Sequence, residues 1–142
     1  MPFTLDPRSK FESRVADQLQ HELIVWLTTV SPSGQPQPNP VWFIWDGADR
    51  IILYSKPDSA RMRHIAANPK VSLNFDTDAR GDMCAVLTGT IAIDESVPPC
   101  NQLPGYAGKY HAGLVQIDTD IDKMAAEFSV PLVVTIEKLR GF

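Results

Sequence analysis

The sequence has little of what marks a secreted, membrane-bound or nucleic-acid-binding protein. Its longest fully apolar runs, Leu23 to Leu27 and Val41 to Trp45, are far too short to cross a bilayer. Met1 to Lys10 holds no apolar stretch that could serve as a signal-peptide core, so a cytoplasmic protein is expected. The 2 cysteines, Cys84 and Cys100, form no CxxC and have no histidine at metal spacing, so no metal site is expected. Cys84 lies in an apolar run and reads as a small buried residue. Basic residues are outnumbered, 13 Lys and Arg against 17 Asp and Glu, giving a net charge of -4. That balance argues against a general nucleic-acid binder, which needs an excess of cations to displace counterions.

What remains is an ordinary globular composition, 44% hydrophobic and 21% charged, over 142 residues. The length suits one domain, residues 1–142, able to bury a core without disulfides or metals. The 12 prolines against 8 glycines predict many short elements joined by tight turns. Phe11 to Glu22 reads as an amphipathic helix, with Phe11, Val15 and Leu19 on one face. Leu23 to Val30 is a strand closed by the turn Ser31-Pro32-Ser33-Gly34. A second strand, Gln35 to Trp45, ends at the hairpin signal Asp46-Gly47 and leads into a third, Arg50 to Ser55.

Asp58 to Asn68 has helical spacing, with Asp58 as the expected N-cap and Asn68-Pro69 as the stop. Strands follow at Val71 to Phe75 and Met83 to Ile93, the latter with Gly89 as a bulge or close-approach point. Ser96 to Gly113 is hard to read beyond a helix around Tyr106 to Tyr110. A short helix at Ile121 to Phe128 and a last strand at Leu132 to Leu139 complete the chain. Six mostly antiparallel strands with a few short helices, one inserted after the third strand, predict a mainly β (α+β) fold, a small barrel. Val41 to Trp45 is apolar on both faces, so both should be covered. A partner subunit in an isologous homodimer is the expected cover; a helix of the same chain is the alternative.

The chemistry concentrates between Ser55 and Lys70. Lys56, Arg61, Arg63 and Lys70 are four of the 13 basic residues, in a chain that is acidic overall. A helix N-terminus carries partial positive charge and favours acidic neighbours, yet Lys56 and Arg61 flank this one with only Asp58 to balance them. A phosphate there would meet free backbone N–H groups, the hydroxyls of Ser55 and Ser59, and the Arg61 guanidinium. A solvated basic helix face is the competing reading. Arg61, His64 and Asn68 share one helix edge beside the apolar stripe, which holds the arginine at a groove margin.

These residues also resemble a known family. Trp26-Leu27-Thr28-Thr29-Val30-Ser31-Pro32-Ser33-Gly34-Gln35-Pro36, followed by Pro40-Val41-Trp42-Phe43, is similar to the opening hairpin of the pyridoxamine 5′-phosphate oxidase-like split-barrel proteins. Within that superfamily the likeness is greatest to the branch called F420-dependent. Tyr54 to Arg61, continuing through Ile65 to Asn68-Pro69 and Val71-Ser72-Leu73, resembles that branch's third strand, phosphate helix and fourth strand. Leu87-Thr88-Gly89-Thr90, Phe128-Ser129-Val130-Pro131-Leu132 and Arg140-Gly141-Phe142 match later pieces. The resemblance implies a split β-barrel homodimer with cofactor sites in the subunit interface. The flavin or deazaflavin ring would lie near Asn39, Pro40, Val41 and Trp42. The phosphate of F420 or FMN would sit by Tyr54, Ser55, Lys56, Ser59 and Arg61, with His64 beside it.

Arg61 stands where lysine is frequent in that branch and keeps the charge while gripping phosphate in two places. His64 stands where asparagine is frequent. The basic strand-two motif and arginine-bearing C-terminus of the true vitamin B6 oxidases are not visible, so pyridoxine phosphate oxidation is not expected. Three functions compete: an F420- or FMN-dependent oxidoreductase acting on a small organic substrate, a non-enzymatic holder of flavin or deazaflavin, and a haem-binding relative using His64 or His111. Arg63 and Lys70 would suit the acidic tail of F420 and favour it over FMN. No catalytic acid or base is assigned. Tyr54, Tyr106 and Tyr110 could protonate a reduced product, although packing accounts for each as well. Asp118 to Asp122 mimics an EF-hand loop but has Lys123 where glycine is required. Arg80-Gly81-Asp82 reads as a polar turn.

Overall fold

A computed structural model of the protein describes residues 2–142. The elements run α1 (Lys10–His21), β1 (Val25–Val30), β2 (Pro36–Val41), β3 (Ile44–Trp45), β4 (Arg50–Ser55) and α2 (Ala60–Ala67). They continue β5 (Lys70–Asn74), β6 (Ala85–Ile93), α3 (Tyr106–Gln116), α4 (Ile121–Glu127) and β7 (Val130–Gly141). All strand pairs are antiparallel, in one sheet of order β2-β1-β5-β6-β7-β4-β3. The expected architecture, an antiparallel split barrel with a helix after the Arg50–Ser55 strand, is the one observed.

The sheet has seven strands, not six, because Gln35 to Trp45 is divided. Val41 pairs with Val25 at one edge of the sheet, whereas Ile44 pairs with Ile52 at the other. One short stretch of chain therefore joins both edges and curls the sheet into a barrel. Trp42 and Phe43 make the crossing and leave their backbone groups outside either ladder. A buried N–H or C=O needs a partner, and α3 supplies them. The Phe43 N–H donates to the Tyr110 hydroxyl at 2.7 Å, and Lys109 Nζ donates to the Phe43 carbonyl at 2.8 Å. The single Tyr110 proton is then free for the Leu23 carbonyl at 2.8 Å.

Alternation along β1 sends Val25, Leu27 and Thr29 into the barrel. They meet Phe43, Ile51, Leu53, Leu73, Leu87, Leu132 and Val134, with Val15 and Leu19 of α1 in the same core. β4 is buried on both faces. Its Ile52 and Tyr54 point away from the barrel into a second cluster with Tyr106 and Tyr110 of α3, flanked by Ile121, Met124 and Phe128.

That second cluster answers why Val41 to Trp45 is apolar throughout. The cover over Trp42 is the chain's own α3: the indole stacks on Tyr110 with centroids 4.3 Å apart and planes 3° apart. Gly113 lets the helix lie this close, since a Cβ there would come within 3.1 Å of the Trp42 ring. A helix of the same chain, rather than a second subunit, meets the requirement at Trp42. The apolar run by itself no longer calls for a partner.

Gly89 marks a register shift between β6 and β7, and a Cβ there would collide with the Thr135 carbonyl. On the edge strand β2, Pro36, Pro38 and Pro40 face Val30, Thr28 and Trp26. Prolines cannot donate to a ladder, so they occupy the non-hydrogen-bonded positions and leave the outer edge without an N–H at any of them.

Candidate functional site

β4 ends at Ser55, and a short turn leads into α2. The helix is capped by Ser59, not Asp58, but its hydroxyl makes no capping bond and no acidic residue occupies the first turn. Ser59 Oγ instead lies 2.8 Å from Ser55 Oγ, which is fully buried. Arg61 Nη1 donates to that same Ser55 hydroxyl at 3.3 Å. The Arg61 side chain is half-buried, and burial pulls its pKa below the ordinary value. A guanidinium stays charged at any pH a folded protein tolerates. Among the described residues it has no acidic partner within 4.0 Å. The result is a desolvated cation and a helix N-terminus without a side-chain cap, both facing the same turn. This is the chemistry of an anion site.

Arg61 opens into a cleft of about 290 Å³. Pro40, Val41 and Trp42 form one wall where β2 turns toward β3, and Tyr54 of β4 lies behind them. Tyr106 of α3, Met124 of α4, and Ile117 and Phe128 at the ends of those helices form the opposite wall. Apart from the Arg61 charge the lining is apolar or aromatic, with no carboxylate and no histidine.

Of the residues singled out in the sequence, the fold brings Pro40, Val41, Trp42, Tyr54 and Arg61 into this one cleft, with Ser55 and Ser59 hydrogen-bonded behind Arg61. Lys56 is exposed, its Nζ 5.3 Å from the Phe128 ring centroid and so beside the cleft wall. Asn39 is exposed on β2 opposite Leu27 and does not line the cleft. His64 does not line it either; its Nδ1 lies 2.9 Å from Oγ1 of the buried Thr29.

A family model described as pyridoxamine 5′-phosphate oxidase matches residues 11–127. The chain belongs to the pyridoxamine 5′-phosphate oxidase family. Among solved structures it is similar to an F420 reductase, at 23% identity over 87% of this chain and 94% of the other, with a TM-score of 0.60. It is similar to a conserved hypothetical protein from Mycobacterium tuberculosis, at 19% identity over 99% and 88% of the two chains, with a TM-score of 0.68. It is also similar to the haem storage protein HutZ from Vibrio cholerae, at 14% identity over 94% and 95%, with a TM-score of 0.61. These likenesses establish the fold. No match was found among curated proteins.

Within this pyridoxamine 5′-phosphate oxidase fold the tyrosines are constrained. The Tyr54 hydroxyl donates to the Pro98 carbonyl at 2.6 Å, and burial pushes its pKa up to about 12. Burial also raises Tyr106 and Tyr110. All three keep their protons near neutrality and act as hydrogen-bond donors rather than acids. Ile117, Met124 and Phe128 were not expected at the site, and Tyr106 only as a proton donor. The one sequence signal for this wall is the helical spacing of Ile121, Met124, Ala125 and Phe128, which reads equally well as core. Among the described residues no group of three or more His, Cys, Asp or Glu could hold a metal, and no helix is long and apolar enough to cross a membrane.

Proposed function

We propose that the protein is a cytoplasmic oxidoreductase that works with F420, or with FMN in its place, on a small organic substrate. The observation that carries this reading is Arg61: half-buried, without a counter-ion, and set at an uncapped helix N-terminus that opens onto an aromatic cleft. A phosphate fits that donor set. The Arg61 guanidinium, the Ser55 and Ser59 hydroxyls and the first N–H groups of α2 would hold it, with Lys56 at the rim. When bound, such a cofactor supplies a ring able to carry hydride. This chain's residues hold, orient and shield it: Pro40, Val41 and Trp42 offer a flat apolar bed, and Met124 and Phe128 keep water from it.

F420 is favoured over FMN by the exposed Arg63 and Lys70, which would suit an acidic tail. The likeness to an F420 reductase agrees with that choice. The working unit in this reading is a homodimer. Pro36, Pro38 and Pro40 stand exposed beside Trp26, Thr28 and Val30 on the outer face of the sheet. A second copy laid on that face would wall the open side of the cleft at Pro40. The haem alternative lacks an observation in its favour, since neither His64 nor His111 lines the cleft.

The test is a fluorescence titration of cofactor-free protein with F420 and with FMN, repeated on Arg61→Ala. Tight F420 binding that Arg61→Ala weakens about tenfold or more is expected, because a charge-assisted bond is lost. Binding of neither cofactor below about 10 µM, or no effect of Arg61→Ala, would refute the phosphate site. Oxidation of reduced F420 with added substrates then separates an enzyme from a carrier.

A further inference from the structure

The three tyrosines around the cleft differ in what their hydroxyls do. Tyr54 donates to Pro98, and Tyr110 is committed to Phe43 and Leu23. The Tyr106 hydroxyl makes no hydrogen bond among the described residues, although the residue is only 3% exposed and lines the cleft. Its ring has little freedom to turn elsewhere. It meets the Tyr54 ring edge-on at 5.4 Å and lies 5.0 Å from the Tyr110 ring at 47°. A buried donor left without an acceptor is costly, and such groups usually await a ligand or an ordered water.

We propose that Tyr106 is a specificity-determining residue, donating a hydrogen bond to the carbonyl of a flat, neutral, conjugated second ligand seated against Trp42, Met124 and Phe128. The inference rests on the reading of Arg61 as the cofactor-phosphate anchor, because that commits the charge of the cleft and leaves a neutral remainder for the second ligand. Flatness follows from the Trp42 and Phe128 rings on the two walls. A carbonyl follows from the need for an acceptor that brings no charge into an apolar lining. The phenol is suited to the task because burial keeps it protonated.

The matched probes are coumarin and 2H-chromene, bicyclic rings of the same shape that differ by a carbonyl in place of a methylene. Their affinities for wild type, Tyr106→Phe and Tyr54→Phe are measured by ligand-observed NMR, on cofactor-free protein and on protein loaded with F420. Wild type should prefer coumarin, and Tyr106→Phe should weaken coumarin about fivefold while changing 2H-chromene less than about twofold. Tyr54→Phe should leave the coumarin preference intact, since its hydroxyl is spent on Pro98. Equal weakening of both probes by Tyr106→Phe would reduce the residue to packing and overturn the proposal. So would a wild type with no preference for coumarin, or a Tyr106→Phe variant that keeps it. Failure of F420 to bind overturns the phosphate reading instead. The probe comparison on cofactor-free protein reports on Tyr106 separately.

Discussion

Tyr110→Phe removes one oxygen from the crossing that closes the barrel, and its cost can be worked from the contacts. The variant keeps the ring, so the stack on Trp42 at 4.3 Å remains and no cavity opens. What is lost is the acceptor of the Phe43 N–H at 2.7 Å and the donor to the Leu23 carbonyl at 2.8 Å. Phe43 is fully buried, so its N–H cannot turn to water. A buried donor left unmatched costs about 1–3 kcal/mol and the second bond adds about 1 kcal/mol, so the loss should be about 3 kcal/mol. Unfolding entropy near 60 °C is about 2.1 cal/mol/K per residue, or about 0.3 kcal/mol/K for a chain of 142 residues. Tm should therefore fall by about 10 °C in calorimetry at fixed protein concentration. A fall below about 3 °C would mean that the Phe43 N–H has another partner, and that α3 does not secure the crossing.

Two further outcomes follow from the same contacts. Gly89→Ala would drive a Cβ into the Thr135 carbonyl and to 3.2 Å from Ile136 Cα, both backbone, so β6 and β7 must part. A loss of about 3 kcal/mol or more in urea unfolding is expected, and wild-type stability would show the bulge to be pliable. The alkaline limb of stability should carry two opposed contributions. Burial lowers Lys109 from 10.5 to about 8, so between those values the unfolded chain holds a proton that the folded one has shed, and stability rises with pH. The rise is modest, because the Phe43 carbonyl and ring favour the ammonium. Tyr54, raised from 10.0 to about 12, contributes stability that is complete below pH 10 and lost as pH climbs through its folded value. Urea midpoints from about pH 7 to 11.5 should rise and then fall. Lys109→Met should remove the rise and Tyr54→Phe should soften the fall; a wild-type profile that either variant leaves unchanged would contradict the assignment.

The parts of the fold legible in the sequence are those where one local rule acts alone. Arg50 to Ser55 is a strand with the expected bounds because Asp46-Gly47 forces a hairpin before it, with Gly47 at a positive φ of 85°. Gly89 reads correctly because a glycine weakens a strand interior and is kept there where a neighbouring backbone leaves no room for a Cβ. The division at Trp42-Phe43 is hidden because an apolar run buried on both sides looks the same whether it stays with one partner or changes to another. α3 extends to Gln116, well past Tyr110, because Gly108 and Gly113 disguise a helix whose reason for existing is tertiary: it supplies Lys109 and Tyr110 to Phe43 and lies against Trp42. The anion-binding half of the cleft was legible from charge placement between Ser55 and Arg61. Its far wall was not, because Tyr106, Met124 and Phe128 follow no pattern that separates a cleft from a core.

The solitary state of Arg61 is a matter of arrangement, because this chain has 17 Asp and Glu against 13 Lys and Arg. Arg8 pairs with Asp6, Arg50 with Asp94, and Arg80 with Asp78 and Asp82. Those arginines are 89%, 41% and 81% exposed at their side chains, where water would have screened them in any case. Arg61 is the more buried residue and has no carboxylate, although Asp58 is only three positions away and could have been its partner. A chain under selection for stability alone would place an acid in the first turn of α2, where it would also complement the helix dipole. Leaving that position to Ala60 and Arg61 costs stability, and the cost is relieved when an external anion arrives. An Ala60→Asp substitution would supply the missing charge from within. It should raise Tm and weaken F420 together, a coupling that a purely structural arginine would not produce.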